Sequence, residues 1–161
     1  SDSPGDVLAR VNNLLYADTP ERMFVTCFYA ILEPTSGKMR YANAGHDLPY
    51  QHHYGEVVEL LATGMPLGLM PNMRYEEFEV QISHGESILF YSDGMVEAHN
   101  PAREMFGFPR LKTLLASSPD PSSLIDDLLG QLKDFTGAGW EQEDDVTMVT
   151  LERTHQGYSS E

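Results

Sequence analysis

The pattern of apolar and polar positions predicts a helix at the start of the chain. Between residues 4 and 16 apolar side chains recur at helical spacing, Ser3 is placed to cap the helix, and Pro4 stands at its first position. We expect this helix to lie on a sheet through one apolar face. The residues of that face are Val7, Leu8, Val11, Leu14 and Leu15.

Runs of β-branched and aromatic residues, or alternating apolar residues, predict strands along most of the remaining chain. The first two runs flank the turn sequence at 34–38, so we expect an antiparallel hairpin there. Residues 64–71 have proline or glycine at every second or third position, which predicts a loop. The predicted strands are residues 23–33, 39–44, 48–51, 57–61, 75–82, 87–91 and 146–151.

Two further helices are predicted between the last two strands. One runs through Leu111, Leu114 and Leu115, and the other covers residues 122–135, with an apolar face of Leu124, Ile125, Leu128, Leu129 and Leu132. Strands joined mainly by hairpins, with separate helices, are typical of an α+β fold rather than a parallel one. We expect one domain over residues 1–153 and a disordered polar tail over 154–161.

Charge narrows the range of partners. Asp plus Glu number 25 against 10 Lys plus Arg, a formal net charge of −15, which repels nucleic acid and anionic lipid. No apolar run reaches the length of a membrane span. The single cysteine, Cys27, excludes an internal disulfide and lies in a predicted strand. We expect a cytoplasmic domain cut from a longer chain, which leaves an upstream membrane or sensor segment open.

Acidic residues at two strand ends are the candidate chemistry. The strand at 87–91 runs into Ser92, Asp93 and Gly94, where we expect the glycine to turn the backbone sharply. Asp144 and Asp145 open the last strand, and the acidic ends meet if the two strands are neighbours. Carboxylates are the ligands that Mg²⁺ and Mn²⁺ prefer, and two such ions about 3.5–4 Å apart activate water for attack on a phosphate ester.

Five motifs, in order and at fitting intervals, resemble the bacterial stage-II-sporulation-E/RsbU-like serine phosphatases. These enzymes belong to the PPM (protein phosphatase 2C type) superfamily, and the resemblance extends from about residue 4 to residue 152. The motifs are Asn-Ala-Gly-His at 43–46, Gly-Met-Pro-Leu-Gly at 64–68, Leu-Phe-Tyr-Ser-Asp-Gly-Met-Val-Glu-Ala at 89–98, Phe-Gly at 106–107 and Asp-Asp-Val-Thr at 144–147.

The resemblance implies an α-β-β-α sandwich of mainly antiparallel sheets that holds two Mn²⁺ or Mg²⁺ ions. It implies hydrolysis of phosphoserine or phosphothreonine on a regulatory protein, often a phosphorylated anti-anti-sigma protein, through a water activated by both metals. By the same resemblance Asp93 and Asp144 are metal ligands. Asp145 is part of the metal site as a residue that supports the ligands rather than binding the ion directly. Gly94 would permit close approach of the backbone.

One motif of the family is missing. The family carries an early Gly-Gly-Asp-x-x-Asp motif that supplies the aspartate bridging both ions, whereas the only Gly-Asp of this chain lies at Gly5-Asp6 in the first predicted helix. We therefore expect a domain without its first strands, with one weak metal site or none. We also expect an open sheet edge through which copies of the chain self-associate.

Two other functions stay open at this point. One is a catalytically incomplete regulatory module that docks sigma-factor regulators without removing phosphate; the other, less in keeping with the motifs, is a hydrolase of small phosphate esters. Among other candidates, His46 is interpreted as shaping its loop or acting in catalysis. His52 and His53 are interpreted as a solvated strand end, while Glu97 is either a surface residue or a support for the metal ligands.

Overall fold

The structure is a computed structural model, which describes residues 3–18, 20, 23–53, 55–118, 122–137 and 144–154. Its helices are α1 (Pro4–Asp18), α2 (Asp93–Val96), α3 (Phe108–Ser117) and α4 (Leu124–Thr136). Its strands are β1 (Cys27–Glu33), β2 (Lys38–Ala44), β3 (Tyr50–His53), β4 (Glu56–Glu59), β5 (Phe78–Gln81), β6 (Ser87–Tyr91) and β7 (Met148–Glu152). No helix among these residues is long and apolar enough to cross a membrane.

The chain forms two compact units. The first unit comprises Ser1–Leu48 and Leu61–Ser83, and the second comprises Pro49–Leu60 and His84–Glu161. Unit 1 contains an antiparallel sheet in the order β1-β2-β5, on which α1 packs. Unit 2 contains an antiparallel sheet in the order β4-β3-β6-β7, with α2, α3 and α4. The predicted α+β class with mainly antiparallel sheets is therefore confirmed.

Helix α1 packs on its sheet as predicted, through Leu8, Val11 and Leu15 of the predicted face, but Leu14 does not take part and Asn12 does. Leu8 is buried, whereas Leu14 is 66% exposed and the polar Asn12 is fully buried. The Asn12 amide donates to the carbonyl of Met70 and accepts from the N–H of Gly68. At about 100° per residue, Leu14 points roughly 120° away from Leu8. A polar side chain whose hydrogen bonds are made thus occupies a position in the buried face of α1.

The first hairpin has the predicted register, since Cys27 pairs with Ala44 at one end and Glu33 with Lys38 at the other. The strand begins at Cys27, however, and not at Met23. Upstream of it, Val25 makes one antiparallel bridge to Leu67, while the side chains of Met23, Phe24 and Val25 are exposed. The proline- and glycine-rich loop at 64–71 is therefore ordered by backbone bonds to residue 25.

The core of unit 2 joins the central strand β6 to the helices. Leu89 and Tyr91 of β6 are buried in one cluster with Met95 of α2 and Leu111 of α3. Helix α4 buries residues four positions apart, Leu124, Leu128 and Leu132, but the predicted Leu129 is 44% exposed.

Strand β6 has the predicted bounds, whereas β7 begins two residues later than predicted, because residues 144–147 make other contacts. The predicted tail lies, after Thr154, outside the described residues.

Candidate active site

The two acidic segments lie at the same end of neighbouring strands. Strands β6 and β7 pair antiparallel, with Tyr91 opposite Met148 and Ser87 opposite Glu152. The end of β6 that leads to Asp93 is therefore beside the start of β7, which Asp144 and Asp145 precede. The condition set by the sequence, that these two strands be neighbours, is met within unit 2.

Ser92 joins these two strand ends through its backbone and its side chain. Its N–H donates to the carbonyl of Thr147 (2.9 Å), and its hydroxyl donates to the carbonyl of Asp145 (3.0 Å). The N–H of Thr147 in turn donates to the Ser92 hydroxyl (2.9 Å). Sequence reasoning placed Ser92 at the end of the strand but missed these contacts. The signal for them was a small polar residue at the end of an apolar strand.

Gly94 lies in the short helix α2, where the backbone of Asp144 and Asp145 packs against it. A Cβ on Gly94 would lie 2.5 Å from the carbonyl oxygen of Asp145 and 3.4 Å from the carbonyl carbon of Asp144. Its φ is not in the left-handed region, so the expected glycine turn is wrong: the chain continues as one helical turn from Asp93. The glycine is needed here for close approach and not for an unusual φ.

The three aspartates of the site are exposed. Asp93 accepts a bond from the N–H of Gly94 through Oδ1 (2.9 Å), and Asp144 accepts one from the N–H of Asp145 through Oδ1 (2.7 Å). An ionised carboxylate has about four acceptor positions on two oxygens, so each side chain retains capacity for a cation. The local backbone bonds restrict how each carboxylate is oriented.

This donor set fits one hard cation better than two. Mg²⁺ and Mn²⁺ are commonly held by one or two carboxylates, with water completing the coordination. Within the described ranges there is no group of three or more His, Cys, Asp or Glu side chains that could hold a metal ion. Asp93 and Asp144 suit a single water-rich site, and these residues alone do not fit a two-metal centre.

His46 belongs to a loop of unit 1 that Asn43 holds in place. The Asn43 side chain accepts from the N–H of His46 (3.0 Å) and donates to the carbonyls of His46 (2.8 Å) and Ala62 (3.0 Å). The imidazole Nδ1 is 3.2 Å from the Thr26 hydroxyl. These contacts account for the motif at 43–46 as a loop-shaping element, with the residue before His46, Gly45, at a φ of 72°.

The remaining candidates lie in structural roles. His53 ends β3 with an exposed side chain, as expected of a solvated strand end, and also pairs with the side chain of Glu86, a residue that is 1% exposed and that sequence reasoning missed. Glu97 is exposed and ends α2 through its N–H, which donates to the carbonyl of Asp93. Burial raises the pKa of the Cys27 thiol, which disfavours a thiolate nucleophile.

Comparison with known proteins agrees with the motifs. The family model described as "Stage II sporulation protein E (SpoIIE)" matches residues 1–154. Phosphoserine phosphatase RsbU of Bacillus subtilis is 29% identical over 160 residues, which cover 93% of this chain and 45% of RsbU. Protein IcfG of Synechocystis sp. is 32% identical over 137 residues, which cover 81% of this chain and 21% of IcfG. The chain thus spans less than half the length of these curated relatives.

A solved structure shares the fold. The phosphatase domain of SpoIIE from Bacillus subtilis, in crystals presoaked with Mn, matches with a TM-score of 0.68 at 18% identity, covering 93% of this chain and 66% of that one. The predicted fold class is therefore also that of PP2C phosphatase domains. With the family model matching nearly the whole chain, the chain belongs to the SpoIIE family.

Proposed function

We propose that this chain is part of a metal-dependent protein serine/threonine phosphatase acting on a phosphorylated regulatory protein of the anti-anti-sigma type. The observation that supports it is that the segment carrying Asp93 adjoins the segment carrying Asp144 and Asp145 at the paired ends of β6 and β7. On this proposal residues 1–153 are the part of a PPM domain that follows its first strands. The name of RsbU, a phosphoserine phosphatase, supports the choice of substrate class.

In this mechanism the chain's own residues bind the metal ion and orient the carboxylates that bind it. Asp93 and Asp144 would bind an Mn²⁺ or Mg²⁺ ion, which when bound polarises a phosphoryl oxygen and lowers the pKa of its water. A phosphate monoester is an anion and is repelled by these carboxylates unless a cation neutralises them. Asp145 contributes its backbone, since its carbonyl accepts from Ser92 and its N–H donates to Asp144. No step is assigned to a second ion.

The rival function is a regulatory module that docks a sigma-factor regulator without turnover. It is favoured by one observation: the described residues supply two carboxylate ligands and no further cluster of metal-binding side chains. A catalytic PPM domain needs more donors than these, so a chain limited to them would bind a partner more readily than it would hydrolyse phosphate.

The test is a titration of the chain with Mn²⁺ by calorimetry, with hydrolysis of a phosphoserine peptide followed on the same samples. Asp93→Asn and Asp144→Asn remove the proposed ligands, and Asp126→Asn, an exposed aspartate in the first turn of α4, is the matched control. We expect Mn²⁺ binding that both site variants weaken at least tenfold and that the control preserves.

The outcomes separate the candidate functions. Turnover of the peptide that both site variants abolish supports the phosphatase, and faster turnover of p-nitrophenyl phosphate than of any phosphopeptide would point to a small-ester hydrolase. Mn²⁺ binding without turnover favours the docking module. No binding of Mn²⁺ by the unsubstituted chain contradicts the proposed metal site.

A further inference from the structure

We propose that the hydroxyl of Ser92 is a positioning group that sets the metal affinity of Asp93 and Asp144 by locking their two segments together. This inference deepens the proposed function and rests on it. Ser92 itself is not a ligand in this proposal: it acts on the backbone that carries the ligands. The end of the β6–β7 ladder at Ser92 supports this role.

The regular ladder stops at Ser92 because its carbonyl is used elsewhere. At every second position of an antiparallel ladder, the two opposite residues exchange both N–H to carbonyl bonds, and Ser92 and Thr147 stand at such a position. Ser92 makes the first of these, donating to Thr147. Its own carbonyl instead accepts from the N–H of Met95 (3.2 Å), the bond that starts α2 at Asp93. The chain can begin this helix only by giving up the second bond of the ladder.

The Ser92 hydroxyl takes the place of that carbonyl. It accepts from the N–H of Thr147 at 2.9 Å and, with its proton, donates to the carbonyl of Asp145 at 3.0 Å. One atom therefore acts as acceptor and donor towards two successive points of the 144–147 segment. Ser and Thr are the side chains that are short enough and carry both functions, whereas alanine has neither.

The bonds of Ser92 control the place where Gly94 and Asp145 meet. The carbonyl that accepts from Ser92 is the one against which Gly94 packs without room for a Cβ. The residue before it is Asp144, and the residue before Gly94 is Asp93. Both proposed ligands are thus attached to one contact, and the hydroxyl holds it closed from the β6 side.

The locking bonds lie near the surface, so their loss has a small effect on folding. Ser92 is partly exposed and Thr147 is exposed, and water can replace the missing partner. A loosened 144–147 segment nevertheless leaves Asp144 free to move relative to Asp93. Residues that support metal ligands in this way typically change metal affinity by about 10- to 100-fold when they are replaced.

The experiment compares Ser92→Ala, which deletes the hydroxyl, with Ser92→Thr, which keeps it. Thr113→Ala is the matched control, since its hydroxyl bonds the Pro109 carbonyl within α3. Three quantities are measured on each chain: the urea midpoint, the hydrogen-exchange rate of the Thr147 amide, and Mn²⁺ affinity by calorimetry. We expect Ser92→Ala to weaken Mn²⁺ binding at least tenfold and to speed exchange at Thr147, at a nearly unchanged midpoint.

Ser92→Thr is expected to restore both quantities to within about threefold of the unsubstituted chain, a rescue that a purely space-filling role of Ser92 would not require. Unchanged Mn²⁺ affinity in Ser92→Ala, or equal losses in the alanine and threonine variants, would overturn the inference while leaving the proposed function intact. If the unsubstituted chain fails to bind Mn²⁺, the proposed metal site is wrong and the inference falls with it.

Discussion

Single residues at the candidate site are selected for how little space they occupy. Gly94 carries no Cβ because the Asp145 carbonyl occupies that space, and Ser92 is small enough to bond the backbone of the neighbouring segment. Sequence reasoning offered two explanations for Gly94: the close approach of the backbone, implied by the family motif, is confirmed, whereas the expected glycine turn is absent from the helical backbone of α2. The requirement for glycine comes from a contact about fifty positions away along the chain.

Gly94→Ala tests that contact. The added Cβ would lie 2.5 Å from the Asp145 carbonyl oxygen, so the 144–145 segment has to move. We expect a loss of about 1–3 kcal/mol in the free energy of unfolding, typical of overpacking, measured by urea denaturation. Gly130→Ala in α4 is the control, since nothing lies within 4 Å of its Cβ position. It should instead stabilise by about 0.5–1 kcal/mol. Equal effects of the two variants would contradict the proposed packing.

Among the elements, the central strand β6 has charged or polar contacts at both of its ends. The Asp93 end carries the candidate site, and the other end begins after Glu86, whose buried carboxylate pairs with His53 and accepts from the Gln51 amide (3.0 Å). Both of these partners lie on the neighbouring strand β3. The apolar pattern of β6 predicted its bounds but could not reveal this cluster, because the partners come from a different strand.

Removing one partner of the Glu86–His53 pair should destabilise unit 2 more than removing both. His53→Gln removes the imidazole that contacts the buried side chain of Glu86, and we expect about 1–2 kcal/mol of destabilisation, reduced from the value for fully buried pairs because His53 is 46% exposed. The double variant His53→Gln, Glu86→Gln should recover part of this loss. The measurement is a double-mutant cycle by urea unfolding at pH 6.

An exposed pair is the control for that cycle. Lys38 and Glu79 lie 2.7 Å apart with side chains about half exposed, and their coupling should not exceed about 1 kcal/mol. A Glu86–His53 coupling no larger than the Lys38–Glu79 coupling would show that burial of Glu86 adds nothing to the pair.

At the scale of the whole molecule, strand β1 is the edge of its sheet. In the part of the chain that the structure describes, β1 pairs with β2 alone, and the exposed side chains of Met23, Phe24 and Val25 precede it. An unpaired edge beside apolar side chains favours pairing with another chain. Self-association through this edge therefore stays a prediction, alongside the proposed docking of a phosphorylated regulator.

Sedimentation over a wide range of concentrations tests the predicted association. We expect the average mass of the chain to rise with concentration, and Phe24→Lys to reduce this rise because a charge beside the edge disfavours pairing. Val149→Lys is the matched control: Val149 is equally exposed, at 54%, but lies on β7 in the other sheet. A single monomer mass at every concentration would exclude association through β1.

The sequence by itself determined the α+β class and most of the elements, and it proposed the residues of the candidate site. Periodicity and turn residues are local properties, so β6, the first hairpin and the four-residue spacing of α4 could be predicted from neighbouring positions. The family followed from five motifs, each contained in a short stretch of sequence. The burial of Leu14 and the turn at Gly94 were predicted wrongly, because local spacing does not say which partner meets a residue.

Tertiary structure alone decided how distant segments meet. Three contacts join residues from separate parts of the chain. The Ser92 hydroxyl bonds with Thr147 and Asp145, the Glu86 carboxylate pairs with His53, and the buried Asn12 bonds with Met70. The contacts of Glu86 and Asn12 satisfy buried polar side chains, and the bonds of Ser92 pair backbone groups where the β6–β7 ladder ends. Whether such groups find a partner depends on the whole fold. The sequence therefore named the aspartates, and the pairing of β6 with β7 brought the segments that carry them together.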